Sequence, residues 1–204
     1  MTHKSFVVSD THFTQTSMYR FTDACGNRIR PWAETAEEAD ALMIEAWNAT
    51  VRPNDKVYHL GDVSKTRSGL KILGQLNGTK ILIRGNHDIF KLQDFAEHFK
   101  DVRGTHKIGR LILSHYPIHP DSIPHWAHGN IHGHIHEKRV LRRSWLGRRA
   151  IDPRYLNVCV EAIGLAPAPI EEIEARLIAQ RATREWITPA WWKWQTRRCD
   201  PHPD

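Results

Sequence analysis

Cysteine is scarce: three in 204 residues, Cys25, Cys159 and Cys199, far apart and never in C-x-x-C spacing. That excludes a zinc finger or a disulfide framework, and it predicts reduced thiols in a cytoplasmic compartment. Long apolar runs are missing too, and none approaches the roughly 20 residues that cross a bilayer, so no membrane partner is expected. The opening stretch, MTHKSFVVSD, runs straight into a strand-like segment, too short and too polar for a secretory signal. There is no internal repeat and no low-complexity linker. One domain is therefore expected over residues 1–182, with a basic, tryptophan-rich extension at 183–204. Nor does any serine or cysteine stand in a nucleophile signature, so covalent catalysis has no obvious carrier.

What remains is ordinary in bulk, with 40% apolar and 25% charged residues, enough for a proper core. A net charge of +6 favours an anionic partner, or simply a mildly basic surface. Short apolar runs alternate with amphipathic stretches, which is the pattern of an α/β protein. KSFVVSD, KVYHLGDVS, TKILIRGNHD, GRLILSHYP, HGNIHGHIH and RYLNVCVE read as strands that end in polar loops. Thr35 and Glu38 form a capping-box pattern ahead of a helix whose apolar face is Ala39, Met43, Ala46 and Trp47. Shorter helices are expected at Leu70–Leu76, at Ile89–Phe99 behind Asp88, and from Pro169 to about Arg181.

The polar loops carry the chemistry. In chain order they supply Asp10 and His12, then Asp62, then Asn86, His87 and Asp88, then His115, and finally His134 and His136. In α/β sheets the loops beyond the carboxyl ends of strands are where ligand sites collect. Carboxylates, imidazoles and one amide make a donor set of borderline hardness, suited to Mn²⁺, Fe or Zn²⁺ rather than Ca²⁺ or Cu(I). One ion takes four to six ligands, so the inventory suffices for two. Taken singly, each fragment has a plain structural reading: a turn, a helix cap or a solvated histidine. Their joint order is what argues for a metal.

That order, D-x-H, GD, GNHD, a strand-ending His and G-H-x-H, resembles the calcineurin-like metallophosphoesterase superfamily from about Ser9 to His136. RPW, VYHLGDVS and NVCVE are similar to its small bacterial and phage members. The resemblance implies two facing mixed β-sheets flanked by helices, in four layers, with a dinuclear metal centre at the rim. It implies that Asp10, His12 and His136 hold one metal, that Asn86, His115 and His134 hold the other, and that Asp62 bridges them. The cofactor implied is two divalent ions, Mn²⁺ first, with Fe, Zn²⁺, Ni or Co as alternatives. His87 would be the general acid, so that His87 and Asp62 are the catalytic residues. The activity implied is hydrolysis of a phosphodiester or phosphomonoester by a metal-activated water.

One position departs from the pattern. Many phosphatases of the superfamily carry an acidic residue three places beyond the GD aspartate, where it orients the catalytic histidine; here that place holds Lys65. Either Asp88, if it is not a helix cap, or another group then orients His87. His132 either faces the substrate or fills a surface. Arg30, in an irregular loop from Phe13 to Trp32 with Arg20 and Arg28, is a candidate substrate contact. The basic run Glu137–Arg154 either guides a phosphate or forms a solvated hairpin. The tail mixes Trp186, Trp191, Trp192 and Trp194 with basic residues, which suits either burial or nucleic-acid stacking. The substrate the resemblance implies is a phosphorylated small molecule or nucleotide. The alternatives are a nuclease acting on nucleic acid and a non-catalytic metal-binding module.

Overall fold

The computed structural model describes residues 3–143 and 149–183. The elements run β1 (Ser5–Val8), α1 (Ala36–Thr50), β2 (Lys56–His59), α2 (Arg67–Ile72), β3 (Thr79–Ile83), α3 (Leu92–Ala96), β4 (Asp101–Arg103) and β5 (Thr105–Ile108). They continue with β6 (Leu111–Ser114), β7 (Gly129–His132), β8 (Leu141–Arg143), β9 (Arg149–Ile151), β10 (Tyr155–Asn157), α4 (Val160–Ile163), β11 (Ala168–Pro169) and α5 (Ile170–Thr183). The class is α/β, as expected, with mixed sheets flanked by helices.

Five strands form one sheet in the order β11-β1-β2-β3-β4, parallel except where β11 runs against β1. Four more form a second, β10-β7-β6-β5, parallel except for the β5–β6 pair. The two are joined at one end, where Ser9 just beyond β1 bridges to Cys159 just beyond β10. A single core draws on both: Val7, Val8, Leu82 and Ile83 from the first, Leu113, Ile131 and Leu156 from the second. Strands this apolar are buried on both faces, which explains why they read as continuous runs rather than alternations.

Helix α1 begins as its sequence dictates. The Thr35 side chain accepts from the Glu38 backbone N–H, while Glu38 reaches back to the Glu34 N–H rather than to that of Thr35. Its residues Ala39, Met43 and Trp47 are buried at helical spacing. The expected 89–99 helix is helical only over Leu92–Ala96, and Lys91, not Asp88, sits at its N-cap. Strands β4 and β5 have no signature in the sequence, since neither carries a fully buried residue and neither shows a hydrophobic signal.

Cys25 is disulfide-bonded, which corrects the expectation of three reduced thiols, while Cys159 is free and buried. No helix among the described residues is long and apolar enough to cross a membrane. The tail tryptophans, Cys199 and most of the expected 183–204 extension lie outside the described residues, as does Arg148.

Candidate metal centre

The loop after β1 is tied to the loop after β2 by backbone bonds beyond the strands: Asp10 N donates to Gly61 O, His12 N to Asp62 O and Phe13 N to Val63 O. This ties the D-x-H loop to the GD loop. The loops after β6 and β7 are tied likewise, Gly133 N donating to His115 O. Glycine is required where these loops touch. A β-carbon on Gly85 would stand 2.6 Å from Asp62 N and against the Asp62 carboxylate, and one on Gly133 would collide with Ser9 and Asp10.

The backbone here is strained. Among the described residues seven non-glycines have positive φ, and five of them are Asp10 (59°), His12 (50°), Asp62 (57°), His134 (70°) and His136 (51°). Each costs about 1 kcal/mol or more, and such strain persists only where the surroundings impose it. Five of the seven are thus ligand-type side chains, gathered in the loops that meet at this rim.

Among the described residues three donor groups result, of which one, His136, Cys159 and Glu161, shares His136 with the first of the two that meet at the rim. Asp10, His12 and His136 offer ligand atoms all within 4.8 Å of one another, and so do Asp62, His115 and His134. Asp62 lies between them. Its Oδ2 is 3.7 Å from His12 Nε2, and its Oδ1 is 3.5 Å from His115 Nε2. Asn86 joins the second cluster, its Oδ1 standing 2.9 Å from His115 Nε2. Every residue expected to hold a metal is therefore brought to this rim.

Three of the four histidines have Nδ1 engaged by an oxygen that fixes the ring: His12 by Gln15 Oε1 at 3.0 Å, His115 by Leu60 O at 2.7 Å and His136 by Glu161 Oε1 at 3.2 Å. That leaves Nε2 of each facing the centre, the arrangement outer partners impose on metal-ligating imidazoles. Asp10 divides its oxygens in the same spirit. Oδ2 accepts from Ser9 Oγ at 2.5 Å, His134 N at 2.9 Å and Cys159 Sγ at 3.2 Å. Oδ1, like His12 Nε2, is buried without a hydrogen-bond partner among the described residues. A buried polar atom with no partner is costly, and a cation would satisfy both. The donor set fits divalent metal.

Protonation agrees with this. Burial alone would raise the Asp10 carboxyl, but the hydrogen bond and charge of His12, then His136 and His115, hold it well below the usual carboxylate range. Burial lowers His87 and Lys65 adds to that, against the opposing pull of Asp62. His87 is the more accessible group, 34% exposed, with Nε2 3.8 Å from Asp62 Oδ2. It faces an open cleft of about 550 Å³ that also includes His12, His134, His136, Lys65 and Lys138. The Phe13–Trp32 loop walls this cleft through Met18, Phe21 and Ile29.

Three expectations are corrected. Arg30 is fully buried and donates to Glu161 Oε1, Asp10 O and Thr11 O, so it cannot reach a substrate. His132 is buried beside Tyr155 with its ring against Gly133 O, and burial lowers it to about 4; it does not face the cleft. Asp88 neither caps a helix nor orients His87. Its carboxylate accepts from Asp62 N, Val63 N and Gly85 N, stapling the GD loop to the GNHD loop. Gln15, Ser9 and Glu161 were missed. Gln15 has a signal in its i+3 spacing from His12 and Ser9 in its adjacency to Asp10, whereas Glu161 meets the site only through tertiary packing.

No family model matches the sequence. The chain is 30% identical over 176 residues to the uncharacterized protein MJ1445 of Methanocaldococcus jannaschii, covering 83% of this chain and 89% of that protein. It is 29% identical over 171 residues to the Gene 66 protein of Mycobacterium phage L5, covering 67% of this chain and 80% of the phage protein. A crystal structure of AQ665 from Aquifex aeolicus, a protein of unknown function, shares the fold with a TM-score of 0.60 at 23% identity, over 85% of this chain and 99% of that one.

Proposed function

We propose that this chain, which belongs to the same family as the uncharacterized protein MJ1445 of Methanocaldococcus jannaschii, is a metal-dependent phosphoesterase. The observation that carries the reading is Asp62, one carboxylate oxygen toward each donor cluster. Asp10, His12 and His136 would hold one ion, Asn86, His115 and His134 the other, with Asp62 shared. The two sheets would then be the inner layers of the four-layer metallophosphoesterase sandwich. Carboxylate, imidazole and amide donors together suit Mn²⁺ first.

Two such ions, when bound, neutralise phosphate oxygens and lower the pKa of a water. The chain's own groups supply the rest. His87, accessible and not needed as a ligand, donates a proton to the leaving oxygen. Lys65 and Lys138 give the cleft a cationic wall for the phosphoester, and Met18, Phe21 and Ile29 give it an apolar one. The Asp88 staple keeps Asp62 and Asn86 in register by holding their two loops together.

The test is hydrolysis of bis(p-nitrophenyl) phosphate and p-nitrophenyl phosphate by the full chain with added Mn²⁺. Turnover of either is expected, and Asp62→Asn should lower it by about a hundred-fold or more, since even outer partners of a metal cost about 10–100-fold. The preferred ester separates diesterase from monoesterase. No turnover of either ester with Mn²⁺, Fe²⁺, Zn²⁺, Ni²⁺ or Co²⁺ contradicts the reading.

A further inference from the structure

Arg30 of the RPW segment and Glu161 of the NVCVE segment are 131 residues apart, yet Arg30 Nε donates to Glu161 Oε1 at 2.7 Å. Their side chains are 0% and 2% exposed. A fully buried ion pair is weak evidence for stability, because desolvating two charges consumes most of the attraction, and a well-packed apolar pair often serves as well. The question is what else the pair does.

Its remaining bonds give the answer. Arg30 Nη2 donates to Asp10 O at 2.6 Å and Nη1 to Thr11 O at 2.9 Å, so the guanidinium grips the strained turn between Asp10 and His12. The same Glu161 Oε1 faces His136 Nδ1 at 3.2 Å and fixes that ring. Tyr19 and Trp32 pack around the guanidinium, their ring centroids 5.9 and 6.0 Å from its carbon. Two ligands of the first cluster, Asp10 and His136, are thus held from one ion pair, together with the turn that leads into His12. The second cluster is held differently, His115 by Leu60 O and its loops by Asp88.

We propose that Arg30 and Glu161 form a positioning clamp for the first metal site alone, holding the Asp10–His12 turn and the His136 ring at a fixed separation. The inference rests on the metal reading above. It assigns these residues no contact with substrate.

The test is Mn²⁺ titration of the metal-free full chain by calorimetry, with electron paramagnetic resonance to detect coupling between the two ions. The double variant Arg30→Met, Glu161→Leu replaces the pair with apolar side chains and leaves no buried charge alone. Wild type is expected to bind two Mn²⁺ with a spin-coupled spectrum. The variant, with its melting temperature retained, is expected to bind one as wild type does and the other about 10–100-fold more weakly, with the coupled signal lost. Unchanged affinity at both sites overturns the clamp, and equal weakening at both shows a merely structural pair. If the double variant does not fold, Glu161→Gln decides: the same selective loss supports the clamp, and wild-type binding overturns it. A wild type that takes up no Mn²⁺ overturns the metal reading itself, which is seen before any variant is made.

Discussion

The backbone N–H of His87 donates to Asp62 Oδ1 at 2.8 Å, while the ring of the same histidine places Nε2 3.8 Å from Asp62 Oδ2. Main chain and side chain of one residue thus address both oxygens of the carboxylate that lies between the clusters. The ring is set beside the centre without being consumed by it. Among the described residues no acidic group behind His87 takes the role that Lys65 displaces; Asp88 spends its oxygens on three backbone N–H groups.

A general acid matters most when the leaving group is a poor one. His87→Ala should therefore lower the hydrolysis of an alkyl phosphoester by about a hundred-fold or more, and that of a p-nitrophenyl ester by about ten-fold or less. Metal stoichiometry should stay at the wild-type value. Paired rate and metal measurements on the two ester types check this, and equal losses on both would assign His87 to binding instead.

Gly133 is predicted to be irreplaceable and Gly74 replaceable. A methyl group at Gly133 meets Ser9 and Asp10, whereas nothing lies within 4 Å of one at Gly74. Gly133→Ala should displace Asp10 and weaken metal binding at the first cluster. Gly74→Ala should leave binding alone and stabilise the fold by about 0.5 kcal/mol, through a less flexible unfolded chain. Mn²⁺ titration and urea unfolding of both variants separate the two effects.

Asp40, 6% exposed, accepts from Thr14 N at 2.9 Å, yet burial, abetted by Glu37, raises its carboxyl to about 6. Because the folded pKa lies above the unfolded one, its favourable contribution is complete below about pH 4 and is lost as pH rises through about 6. The stability of wild type relative to Asp40→Asn should accordingly fall by something on the order of 2 kcal/mol between pH 4 and pH 7. Urea unfolding of both proteins across that range measures the difference; a flat difference would mean Asp40 titrates normally.

The ligand loops were legible because each is a polar interruption at the end of an apolar run, and five such interruptions in order are improbable as decoration. Capping and helical spacing gave α1 for the same local reason. Arg30 and His132 were misread because charge and proximity in sequence say nothing about burial. Arg30 lies 20 residues from Asp10 but bonds its carbonyl, and His132 points into the domain because β7 is buried at all four of its positions. Glu161 in NVCVE carries no local signal, since Arg30 reaches it from 131 residues away and His136 from 25. Strands β4 and β5 lack the burial that would have written them into the sequence.

The central claim is that two cations share the carboxylate of Asp62. It is tested most directly by a crystal structure of the full chain grown with Mn²⁺, with anomalous scattering used to place the metal. The account predicts two anomalous peaks about 3.5–4 Å apart, one on each side of Asp62. A single peak, or peaks that leave Asp62 uncoordinated, would contradict it.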